Sequence, residues 1–113
     1  MEFVYLLLTT DTDGQNELYK IGITSKNVNK RIKSLSTGNP NIITLIHVFE
    51  SKYYKKIEKW LHCRYVQNKT ASKNEWFHLN DNDVISFKEN CENTEKTIIF
   101  MENNNTFLNK ITP

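Results

Sequence analysis

The chain has 113 residues, 38% of them hydrophobic, enough for one domain with a single small core and no second one. No apolar run approaches the roughly 20 residues that cross a bilayer, and Cys63 and Cys91 lack any CxxC pairing, so neither a membrane span, a disulfide framework nor a zinc site is expected. Net charge is only +2, yet Lys20 to Lys73 carries twelve Lys or Arg against Glu50 and Glu58, whereas Asn74 onward has seven acids against three lysines.

Residues 2–9 are dense in Val, Tyr, Phe and Leu, which predicts a strand buried on both faces. This run follows an acid and lacks a basic flank, so it reads as a strand and not as a signal peptide. Residues 11–16 carry turn chemistry, and 17–23 (ELYKIGI) return as the second strand of a hairpin. Thr24 and Ser25 are N-cap candidates for a helix over 26–36 with Val28, Ile32 and Leu35 on one stripe, stopped by Gly38 and Pro40. Residues 42–49 form a third strand. Ser51 then caps a helix over 52–67, with Tyr54, Ile57, Leu61 and Tyr65 inward. A polar loop, 68–74, precedes a short extended stretch at 75–79, and Asn80 or Asp81 caps a further helix with Val84, Phe87 and Cys91 inward. Residues 96–102 suit strand or helix equally, and Asn103 onward reads as a loose tail. The order β-β-α-β-α-β-α describes a small α/β sandwich.

The basic middle suits a surface that tracks phosphates, although lysine runs are also ordinary solvated helix faces. Arg31 and Arg64 are the only two arginines and carry more information than the lysines. Glu58 and His62 lie four apart, on one helical face at the border between the apolar stripe and Lys55, Lys56 and Lys59. A carboxylate there can be half-shielded by the fold and still reach a metal beside a phosphate, or simply pair with a neighbouring lysine. Arg31 sits beside its helix's stripe, where its fork can hold two phosphate oxygens or its stem can cover the core edge. Tyr5 is a core tyrosine or a site phenol. Gly22 marks a bend or a close backbone approach. Glu75 is a site carboxylate or an exposed edge residue. Tyr53, Tyr54 and Trp60 could stack on bases, but aromatic residues in helices more often pack. Both thiols are expected to be small core or half-buried residues in a reducing, cytoplasmic or nuclear compartment.

Taken together, FVYLL…YKIGIT, then NVNKRIKSLSTGNP, a strand, IEKWLHCRY and EWFHL resemble the GIY-YIG nuclease family, in particular its compact branch from phages and large DNA viruses. The resemblance covers residues 3–79, roughly two thirds of the chain. It implies a small three-stranded antiparallel sheet flanked by helices over 1–80, with a C-terminal helix and tail at 81–113 packed on it or trailing from it. Tyr5 matches the first motif's tyrosine, and Lys20-Ile21-Gly22 stand where the second motif lies. Arg31 matches the arginine on the scissile phosphate, and Glu58 the single protein ligand of Mg2+ or Mn2+. His62 and Glu75-Trp76-Phe77 match further motifs of the branch. Phe3 and Lys20 depart from the motif glycine and tyrosine, and the second departure removes a hydroxyl that helps activate water elsewhere in the family.

The implied activity is divalent-metal-dependent endonucleolytic hydrolysis of a nucleic acid, DNA before RNA, with Lys26, Lys30, Lys33, Lys55, Lys59 and Arg64 on its phosphates. The alternatives are a DNA-binding module that has lost turnover and a protein-interaction domain. A domain this small has little surface for reading bases, so a homodimer or a targeting partner is expected to supply specificity.

Overall fold

A strand whose successive side chains are all apolar must be covered on both sides, and β1 (Phe3–Thr10) is: Val4, Tyr5, Leu6 and Leu7 are sealed from solvent. In the computed structural model, which describes residues 2–10, 17–36, 42–69 and 76–104, β1 is flanked antiparallel by β2 (Glu17–Thr24) and β3 (Thr44–Glu50). A further strand, β4 (Trp76–Phe77), adds to β2 through Tyr19↔Phe77 and Lys20↔Trp76 and gives the order β3-β1-β2-β4. The molecule is thus of the expected α/β class, but its sheet has four strands instead of three. The fourth strand is the short extended stretch expected at 75–79, narrowed to Trp76 and Phe77, and the count of three is the one the family resemblance implied.

Between β1 and β3 the register shifts at Leu6/Leu7, whose partners are His47 and Leu45. Ile46 is therefore an extra residue, and such a bulge lets neighbouring side chains leave on one side. Ile46 packs against the core while His47 stacks on the Phe87 ring at 5.8 Å.

Helix α1 (Val28–Ser36) starts two residues later than predicted, because the side chain that caps it is Asn27 and neither Thr24 nor Ser25. Asn27 Oδ1 accepts from the N–H groups of Asn29 (2.8 Å) and Lys30 (3.3 Å), while Thr24 Oγ1 accepts from Lys26 N–H in the preceding turn. Val28, Ile32 and Leu35 are only half-buried. Helix α2 (Tyr54–Arg64) is shorter than the predicted 52–67. Ser51 Oγ accepts from Tyr53 N–H at 3.0 Å and orders the turn before the helix instead of capping it. One 3-10 turn, Val66–Asn68, follows.

Asn80 and Asp83 form a reciprocal capping box on α3 (Asp81–Ile85). After Ser86, α4 (Phe87–Asn103) runs through 96–102, so that ambiguous segment is helical. The reason is packing: Phe87, Cys91 and Ile98, at spacings of four and seven, share one buried face.

A single cluster joins Val4, Leu6, Tyr19 and Ile21 of the sheet to Ile57 and Leu61 of α2 and to that face of α4, with Phe77 and Tyr65 between them. Each large side chain sealed in this way contributes about 1.5–3 kcal/mol. Polar contacts fix the C-terminal helices in place. His47 Nε2 donates to the Val84 carbonyl at 3.1 Å, Asn90 Nδ2 to Tyr65 Oη at 2.9 Å, and Tyr53 Oη to Glu102 at 2.9 Å. Cys91 is buried, but Cys63 is exposed, contrary to the expectation of a core or half-buried thiol. It follows Leu61 and His62 around α2 onto the outer face. The predicted turn at 11–16, the stop at Gly38 and Pro40, most of the polar loop at 68–74, Glu75 and the tail from 105 onward lie outside the described residues, while Asn103, expected to open that tail, ends α4. Among the described residues no helix is long and apolar enough to cross a membrane.

Candidate functional site

Side chains alternate along β1, so Tyr5 and Leu7 face away from the cluster that holds Val4 and Leu6. Tyr5 is directly opposite Gly22 on β2. A Cβ at Gly22 would fall on the Tyr5 phenol, so glycine is what lets that ring lie across β2 toward the strand's far edge. Arg31 Nε on α1 donates to Tyr5 Oη at 3.4 Å.

That far edge is open for a simple reason: β4 pairs only with Tyr19 and Lys20. Beyond Lys20, α2 takes over. His62 Nε2 donates to the Ile21 carbonyl at 2.9 Å, and the His62 ring stands edge-on to Phe77 at 5.1 Å. The carbonyl can only accept, so the proton is on Nε2. Glu58, one turn earlier on α2, is brought to the same edge.

The result is a pocket of about 230 Å³ lined by Tyr5, Lys20, Ile21, Gly22, Ile23, Arg31 and Glu58. Consecutive strand residues face opposite ways, so a depression that touches all of 20–23 is approached along the strand's edge. Helix α1 and helix α2 each send one charged side chain to it. Lys20 is 7% exposed, with its ammonium 5.6 Å from the Trp76 ring centre. Sharing Ile23 and Arg31, a second pocket of about 310 Å³ is lined also by Thr24, Ser25, Lys26 and Tyr54.

The predicted residues therefore divide into groups. Tyr5, Lys20, Gly22, Arg31 and Glu58 line one pocket, His62 holds its rim and Trp76 flanks Lys20. Lys26 lines the second pocket. Lys30, Lys33, Lys55, Lys59 and Arg64 are exposed and line neither, with Arg64 lying over the Tyr65 ring. Glu75 lies outside the described residues. In the sequence Thr24 and Ser25 are candidate caps, and Tyr54 is a packing residue or a stacking surface for bases. Only the curl of the chain between β2 and α1, beside the start of α2, places them around one cavity.

Among the described residues no group of three or more His, Cys, Asp or Glu could enclose a metal, and Glu58 is the one acid lining the pocket. A single carboxylate suits a hard ion that keeps most of its waters and takes further oxygens from a phosphate, as Mg2+ does, and not a closed zinc centre.

The family model for the T5orf172 domain matches residues 2–92, about four fifths of the chain. The chain belongs to the T5orf172 domain family. That corrects the GIY-YIG assignment read from the motifs, since the matching model is that of a distinct family and no GIY-YIG model matches. The T5orf172 match reaches from β1 into α4 and so contains every residue of both pockets. Membership is consistent with a domain that acts on nucleic acid. No curated protein and no solved structure matches the chain significantly.

Proposed function

We propose that this T5orf172 domain is a divalent-metal-dependent endonuclease that hydrolyses a phosphodiester of DNA. The observation that carries the reading is the convergence of Tyr5, Lys20, Arg31 and Glu58 on one small pocket from four separate elements, β1, β2, α1 and α2. A surface that only bound phosphate would gain nothing from a carboxylate among its cations, because like charges repel. A carboxylate is what a bound cation requires.

Glu58 would hold the ion. When bound, Mg2+ or Mn2+ supplies polarisation of a phosphoryl oxygen and charge stabilisation at the leaving oxygen. The guanidinium of Arg31 offsets the negative charge that grows on the phosphoryl oxygens as water attacks, and its bond to Tyr5 keeps it aimed before the substrate arrives. Tyr5, with its oxygen accepting from Arg31, orients the attacking water. Lys20 adds a second fixed positive charge in a setting where burial makes charge count for more than in solvent. In the balanced reaction, water adds to phosphorus, the bond to one bridging oxygen breaks, one proton of the water passes by way of the Tyr5 hydroxyl to solvent, and the departing oxygen takes a proton from solvent and leaves as a hydroxyl.

The test is nicking of plasmid, single-stranded and branched DNA in Mg2+ and in Mn2+. Glu58→Gln and Arg31→Ala are each expected to lower cleavage by about 100-fold or more, with unfolding curves like that of the parent. A parent protein that binds DNA in a salt-sensitive way yet cuts none of these substrates with either metal is a binding module, and the proposal fails.

A further inference from the structure

The second pocket has its own chemistry. It shares the Arg31 guanidinium with the first, adds Lys26, Ser25 and Tyr54, and among the described residues no carboxylate lines it. The first N–H groups of α1 cannot serve an anion there, because Asn27 already accepts from Asn29 and Lys30. Side chains must therefore bind whatever enters: one ammonium, one shared guanidinium and hydroxyl donors, a set matched to a phosphate oxygen cluster and to nothing cationic.

We propose that the two pockets form one groove for two consecutive phosphates of a single strand, with the reacting phosphate beside Glu58, its neighbour on Lys26 and Ser25, and Arg31 between them. This rests on reading the first pocket as the seat of a strand phosphate, and it names the substrate class more narrowly. The ligand is a polynucleotide strand of at least three nucleotides, not a mononucleotide, a phosphate monoester or a free anion. Lys26 positions the strand and takes no part in the bond changes.

Binding without divalent metal tests this independently of turnover. Two probes are compared by amide chemical shift on the full chain: a thymidine dinucleotide with one phosphodiester and a trinucleotide with two, neither carrying terminal phosphates. The trinucleotide is expected to shift the amides of Ser25 and Lys26 as well as Gly22, and the dinucleotide chiefly Gly22. Lys26→Ala should weaken the trinucleotide about tenfold, to near the dinucleotide's affinity, and lower its salt slope by about 0.7. It should leave the dinucleotide within about twofold, a change too small for a lost charged contact. Lys26→Arg should restore most of the loss, and Lys88→Ala on α4 should change nothing. The proposal is overturned if the trinucleotide does not shift Ser25 and Lys26, if Lys26→Ala leaves its affinity intact, or if inorganic phosphate shifts Lys26 as strongly. DNA cleavage with an indifferent Lys26 sinks this inference alone. Tracking of two phosphates without cleavage sinks only the enzymatic reading.

Discussion

A methyl group at position 22 would occupy the space of the Tyr5 phenol, and neither the sheet nor the ring can yield without cost. Gly22→Ala is expected to lower stability by about 1–3 kcal/mol, as overpacking does, and to reduce cleavage further by swinging Tyr5 away from Arg31. In urea titrations the double variant Gly22→Ala/Tyr5→Ala should be more stable than the sum of the single effects predicts, because the ring that clashes is gone. An additive result would mean that the close approach is not what glycine provides. The two thiols differ as sharply. Burial first, and then the charges of Glu92 and Glu95, push the Cys91 thiol up to about 12 from its ordinary 9.0. Between those values the unfolded chain loses a proton that the folded chain keeps, so stability should be level below about pH 9 and fall as pH rises toward 12. The Tyr19 phenol, raised by burial and then by Glu17, acts in the same direction above its ordinary 10.0. Urea midpoints taken from pH 8 to 11 should show this decline, and it should be shallower in Cys91→Ala. A thiol reagent at neutral pH should label one cysteine per native chain, Cys63.

Among the elements, α2 does the most to build the site, since it buries Ile57 and Leu61 while delivering Glu58 to the open edge of β2. The bond from His62 to the Ile21 carbonyl sets the helix against that edge. His62→Ala should cost about 1 kcal/mol of stability and raise the Mg2+ concentration needed for half-maximal cleavage, because Glu58 is then less well placed. An unchanged metal dependence would separate His62 from the site. His62→Gln, which keeps a donor, should recover part of the loss. Helix α4 illustrates how packing settles an ambiguous pattern. Residues 96–102 look equally like strand or helix alone, but Ile98 falls one turn-multiple beyond Phe87 and Cys91 and is drawn into the same cluster. β4 is the opposite case: the extended stretch expected at 75–79 pairs with β2 only at Trp76 and Phe77, and its brevity leaves the outer edge of Ile21–Ile23 without a strand partner where the pocket forms.

For the molecule as a whole, one core extends from β1 to α4, so a chain ended at Asn80 should fail to fold, and Phe87→Ala should cost about 3–5 kcal/mol. Circular dichroism and urea unfolding of the two variants would check both. A folded, cooperative 1–80 fragment would show that α4 is dispensable. The strands, the helical stripes and the residue types suited to holding a metal and a phosphate were legible in the amino-acid order, because alternation and helical spacing are local properties. Tyr5, Arg31 and Glu58 were picked out in the same way, as chemically apt residues with an alternative structural use. Motif order alone misplaced the family, which the match over residues 2–92 corrected to T5orf172. Linear spacing could not place the meeting of α1 and α2 around an uncovered strand edge, nor the second cavity beside Lys26. Those depend on long-range pairing, on a glycine that lets a ring pass and on a histidine bonded 41 positions away, and distances through space of that kind are set only when the chain has folded.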